Sequence, residues 1–161
     1  METITEFPAD KKKAIDAILD LLIMAYIYGV NDVNASIGKD LPADKDKMYI
    51  SVYKVIDGKT WEERIQDYGT IEELKTLADT ESHRIFSEGQ WDCATEGGAK
   101  YKTWLTMQDD RVRESHWYLD GLTVELNDYF YTLSGERALH PGGFGVPSED
   151  VNCRCYLEYS M

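Results

Sequence analysis

Seven side chains have the types and spacing to do chemistry: Glu81, then Asp109, Arg111, Arg113 and His116 close together, then Cys153 and Cys155 on either side of Arg154. Three chemistries suit them. Imidazole and thiolate are preferred zinc donors, so His116, Cys153 and Cys155 could hold an ion with Asp109 or His140 as fourth ligand, clipping a small sheet to its neighbouring helix. Same-face neighbours on a flat strand lie about 6.7 Å apart. Two thiolates on one tetrahedral ion must come within about 3.8 Å, given a Zn–S length near ~2.3 Å. A metal therefore requires the strand to bend or end at the cysteines. In a second reading the cysteines are small buried hydrophobes, His116 hydrogen-bonds inside the fold, and Glu81, Asp109, Arg111 and Arg113 form a polar network joining helix to sheet. The third is catalytic: His116 as general acid or base, Arg113 stabilising a developing anion, Glu81 or Asp109 orienting the imidazole, as phosphodiester cleavage would need.

The elements that position these groups are legible from pattern. Ile15, Ile18, Leu19, Leu22, Ile23 and Tyr26 repeat at helical steps, so an amphipathic helix is expected over residues 10–30, with Pro8 and Asp10 as start signals and an end between Gly29 and Gly38. After Pro42, Met48, Val52 and Val55 share a stripe and favour a short helix, although the β-branched run at 50–56 also suits a strand. Two capping boxes follow, Thr60 with Glu63 and Thr70 with Glu73. The first opens a helix with Trp61, Ile65 and Tyr68 inward and Gly69 at its end; the second opens a long helix over 71–96 stopped by Gly97 and Gly98. On that long helix Ile71, Leu74, Ala78 and Ile85 form the apolar face, and Glu81 falls on it. A carboxylate there needs a donor or cation, expected from an arginine or backbone amides of the C-terminal segment. His83 falls with Thr76, Thr80, Ser87 and Gln90 on the polar side and reads as exposed and not a ligand.

Strands are expected over 100–107 and 122–126, with a short helix between them capped by Asp109 or Asp110, running through His116 and closed by Gly121. Asn127 and Asp128 make a turn across which 129–133 pairs back. Turns at Ser134–Gly135 and at 141–143 bracket Arg137 and His140; the glycine-rich loop has no lysine or hydroxyl of a phosphate-binding loop and reads as a surface connection. Over 151–159, Cys153, Cys155, Leu157 and Tyr159 share one side of a strand, so both cysteines face the core.

Thus the expected fold is α+β: N-terminal helices packed on a small, mainly antiparallel C-terminal sheet with one short inserted helix. The chain reads as one domain, 1–161, with a helical part at 1–69 and a mixed module at 70–161. Its 17 Lys and Arg stand against 30 Asp and Glu, a net charge of −13 with neither half basic. Phosphate contacts need cations, so direct nucleic-acid binding is not expected. The apolar run at 21–28 is shorter than the ~20 residues of a membrane span. Three cysteines, one of them remote, fit a reducing compartment rather than a disulfide framework.

Trp104, Thr106, Asp109, Arg111, Arg113, His116, Asp120 and Gly121, followed by H-P-G-G-F-G at 140–145 and N-C-R-C at 152–155, resemble the phage Mu F-like head morphogenesis domain. The likeness covers 71–157 and includes Thr80 to Arg84, Trp91, Ala94 and Phe130. It implies a minor head component of tailed double-stranded DNA phages or prophages. Such a component works through contacts with the portal or other capsid proteins, in the host cytoplasm during assembly and then in the virion head. On that reading no residue is catalytic. The competing class is a small nuclease or toxin-like enzyme using His116 with Arg113 and Glu81 or Asp109.

Overall fold

A computed structural model describes residues 11–67 and 70–161. The start signals Pro8 and Asp10, and Tyr68 and Gly69, lie outside the described residues. Two long helices form the frame: α1 (Lys11–Ile37) and α4 (Ile71–Glu96), with short α2 (Lys45–Val52) and α3 (Trp61–Ile65) between them. The second half holds β1 (Tyr101–Leu105), α5 (Glu114–Trp117), β2 (Thr123–Glu125), β3 (Phe130–Tyr131), β4 (Arg137–Ala138), α6 (Pro147–Asp150) and β5 (Tyr156–Ser160). This is the expected α+β arrangement.

The local signals act as the sequence implies. Thr60 accepts from the Glu63 amide while the Glu63 carboxylate answers the Thr60 amide, and Thr70 accepts from the Glu73 amide. Helix α2 forms rather than a strand; the β alternative survives only as a bridge between Ile56 and Lys59, and Val55 is exposed. Helix α1 extends past Gly29 to Ile37, and at that length it is apolar enough to cross a membrane, which the 21–28 run alone did not suggest. Here its Ile18, Leu22, Ala25, Tyr26, Val30 and Val33 are buried in the core, and α1 packs along α4.

Two glycines set how closely α1 and α4 approach. A Cβ added at Gly29 would run into the Phe86 carbonyl, and one at Gly89 into the Tyr26 carbonyl. Both obstacles are backbone, so the helices would have to separate. Gly89→Ala is therefore expected to lower stability by about 1–3 kcal/mol, despite alanine's better helix propensity, as read by urea unfolding.

Strand β1 is central, antiparallel to β2 on one side and to β5 on the other, with Trp104 opposite Leu157 and Lys102 opposite Tyr159. Three details depart from expectation. Residues 129–133 do not pair back onto β2; β3 pairs with β4, because Gly135, at φ +88°, closes a local turn in which its amide donates to Thr132 and the Thr132 amide to Glu136. Helix α5 starts only at Glu114 because the Asp109 carboxylate is engaged by the Arg111 amide and the Arg154 guanidinium instead of capping a helix. Helix α6, with Pro147 in its first turn, was not expected.

Candidate functional site

The strand expected over 151–159 does not include the cysteines, which leaves them free to share a site. Strand β5 begins at Tyr156, so Cys153 and Cys155 lie on its irregular lead-in, and Asn152 adopts φ +58°, a conformation asparagine tolerates better than most residues. The Sγ atoms of Cys153 and Cys155 sit 3.8 and 3.7 Å from His116 Nδ1, and the three ligand atoms lie within 4.8 Å of one another. All three residues are buried.

The other face of the imidazole is held by α6. His116 Nε2 donates to Glu149 Oε2 at 2.7 Å, and the same oxygen accepts from Ser115 while Oε1 accepts from Ser134. Burial alone would raise the Glu149 pKa; hydrogen bonds from Ser134, Ser115 and His116 outweigh it and hold the carboxyl below its ordinary 4.5. An ionised carboxylate only accepts, so Nε2 carries the hydrogen of this bond, and Nδ1 is the ring atom that faces the sulfurs. The thiols share a hydrogen bond that, against burial, draws Cys155 below its ordinary value and, together with burial, pushes Cys153 above it. Trp104 meets the His116 ring edge-on at 5.7 Å, and Phe144 stacks on it at 5.6 Å.

Phe144 arrives on the glycine-rich loop, which is not the surface connection expected. Pro141, Gly142 and Phe144 are buried, and Gly142, at φ +77°, lies so near α4 that a Cβ would meet Arg84 Cα at 3.0 Å. Asp150 accepts from the Phe144 and Gly145 amides and shapes the loop. Arg113 donates to the carbonyls of Glu149 and Val151, tying α5 to both ends of the segment that leads to the cysteines.

The network anticipated among Glu81, Asp109, Arg111, Arg113 and His116 is divided among three places. Arg113 and His116 belong to the buried centre. Asp109 pairs with Arg154 at 2.6 Å near the surface, and Arg111 is exposed beside it. Glu81 is 2% exposed and pairs with Arg64 from α3 and Arg84 on its own helix, not with the C-terminal segment. Spacing explains this: Arg84 is three residues along the same helix, and α3 delivers Arg64 at its C-terminal end. Arg84 also binds Glu88, which accepts from Ser51 and pairs with Lys54, so one ionic chain links α2, α3 and α4. Burial would lower the Arg84 pKa, but the Glu88 and Glu81 carboxylates reverse that.

Neither proposed fourth zinc ligand joins the cysteines. Asp109 is held by Arg154, and buried His140 uses Nδ1 on the Pro141 carbonyl and packs near Trp91. The neighbour that does reach Cys153 is His83, which was placed on an exposed face. The polar stripe of α4 passes from exposed Thr76 through half-buried Thr80 and His83 to Ser87 and Gln90, both 1% exposed, because the second half of the helix is covered on both sides. The hydrogen bonds from Gln90 to Asp32 of α1 and to the Leu157 carbonyl of β5 show the two flanks.

Sequence reasoning also passed over Lys102, although it shares the inward face of β1 with Trp104. It is fully buried, donates to the Leu139 carbonyl at 2.7 Å and lies 4.9 and 5.0 Å from the Trp91 and Phe130 ring centroids. Burial lowers its pKa from 10.5 to about 8. Between those values the unfolded chain binds more protons than the folded one, so this group makes stability rise with pH. Two buried tyrosines, Tyr26 and Tyr159, are pushed upward and act oppositely above their ordinary value of 10, which sets the window at pH 8 to 10. Across it, the wild type should gain stability relative to Lys102→Met, as measured by urea unfolding at successive pH values. A constant difference would show that Lys102 does not titrate there.

Comparisons with known proteins agree with the motif. Over 93 residues the chain is 30% identical to the minor head protein GP7 of Bacillus phage SPP1, covering 56% of this chain and 30% of that protein. Over 54 residues it is 48% identical to the NAD(+)--arginine ADP-ribosyltransferase EFV of Enterococcus faecalis, covering 34% of this chain and 11% of that one. The chain thus spans less than a third of either relative's length. No solved structure matches it. The family described as Phage Mu protein F like protein matches residues 46–158, from α2 through most of β5, and includes every member of the histidine–cysteine centre; the chain belongs to that family.

Proposed function

We propose that this chain acts as a minor head or head-morphogenesis component of a tailed phage or prophage, through contacts with portal or other capsid proteins. The observation that carries this reading is the closure of the motif: His116 is 1% exposed, wedged between Trp104 and Phe144 and committed to Glu149 and the cysteines. Groups that would do chemistry in an enzyme here join helices to sheet. A nuclease or toxin-like reading needs His116, Arg113 and either Glu81 or Asp109 around one open cleft, and those two carboxylates are paired elsewhere. The transferase likeness covers too small a part of that protein to carry its activity here. Net charge of −13 supports a protein partner over a polyanion, even beside packaged DNA.

The test is capture of purified portal and major capsid proteins from the same phage or prophage by the purified chain. Co-elution with one of them is expected. Failure to bind either, when both are correctly assembled, would remove the reading.

A further inference from the structure

We propose that His83, His116, Cys153 and Cys155 bind one zinc ion that ties α4 to α5 and to the lead-in of β5. With Zn–N near ~2.1 Å and Zn–S near ~2.3 Å, a tetrahedral ion has N···S edges of about 3.6 Å. The observed separations from His116 Nδ1 to the two sulfurs, 3.7 and 3.8 Å, match that edge closely. Three of zinc's preferred donors thus converge within 4.8 Å of one another inside the fold.

Glu149 supplies the support that ligating histidines receive. Its carboxylate takes the Nε2 proton at 2.7 Å, orients the ring and makes Nδ1 the stronger donor, and it is itself fixed by Ser115 and Ser134. The fourth position belongs to His83. It lies against Cys153, lines the same recess as Cys153, Arg111 and Arg154, and its Nε2 is buried without a hydrogen-bond partner. His83 stands outside the cluster that the other three ligand atoms form, so binding would have to draw that nitrogen in to the remaining vertex. Two thiolates then neutralise the dication, and two neutral imidazoles complete the shell, a composition typical of structural zinc.

The full chain, purified without added metal, should contain about one zinc per molecule by elemental analysis. After exchange with cobalt(II) it should show a thiolate-to-metal charge-transfer band and the intense ligand-field absorption of a tetrahedral site. His83→Ala removes a partly exposed side chain and should leave the fold intact, while weakening zinc more than the ~100-fold upper range of supporting-residue losses, measured by competition with a chromogenic chelator. Glu149→Gln should weaken it about 10–100-fold. The proposal is overturned if the wild type, after dialysis against zinc, holds less than about 0.2 equivalents. It is equally overturned if cobalt gives no thiolate band or if His83→Ala binds zinc as tightly as the wild type.

Discussion

Glu81→Ala should lose about 3–5 kcal/mol of stability, a large share of the ~5–15 kcal/mol that holds a typical domain. The carboxylate is 2% exposed and is shared by two guanidiniums, with Arg84 donating from Nε at 2.9 Å and Nη2 at 2.6 Å and Arg64 reaching the other oxygen. Removing it leaves Arg64 with its cation a fifth exposed and Arg84, 5% exposed, leaning on Glu88 alone. The loss is thus mainly the cost of stranding charge in the interior, not the worth of one ion pair. Glu81→Gln keeps the shape and should fall between wild type and alanine. A double variant, Glu81→Leu with Arg84→Met, should lose less than the sum of its single changes, because it removes opposite charges together. Urea unfolding curves of the wild type, Glu81→Leu, Arg84→Met and the double variant decide this; a strictly additive double variant would show that the two side chains do not share the burden.

His116→Ala is expected to cost about 3–4 kcal/mol, from two sources. The imidazole fills space between Trp104 and Phe144, so truncation opens a cavity in the aromatic core. It also strips Glu149 of one of its three side-chain donors inside a buried site. Since Arg113 and Glu149 hold the segment before the cysteines, the damage should extend to β5 and appear as loss of protection of the Leu157 and Tyr159 amides in hydrogen exchange.

The parts legible in the sequence are those specified locally. A capping box is a four-residue pattern, and both place their helices correctly; Gly97 and Gly98 stop α4 as read. The cysteines were legible as core-facing, but the strand expected over 151–159 begins only at Tyr156 and leaves both on its lead-in, where they meet His116. What was missed depends on who the neighbours are. Glu81 was rightly turned inward, but its partners come from α3 and its own helix, which periodicity cannot show. His83 is half-buried rather than exposed, because it sits where the Thr, Ser, Gln and His stripe passes from solvent to the part of α4 that is covered on two sides. The β3–β4 hairpin replaced pairing onto β2 because a glycine turn five residues later competes successfully with a longer-range partner. Helix α6 did leave a signal in Pro147 followed by Ser148, Glu149 and Asp150, a proline at a helix start with acids in its first turn. Reading that signal would have placed Glu149 within reach of consideration as the partner of His116.

The histidine centre is an interior joint and not an open site, with His116 1% exposed. The most direct measurement is the equilibrium unfolding free energy of His116→Ala beside the wild type, both freed of metal by a chelator so that the difference reports packing and hydrogen bonding. A deficit of about 3–4 kcal/mol is predicted. Equal stability of the two chains would contradict the account and return His116 to the role of a functional group held at a tolerant site.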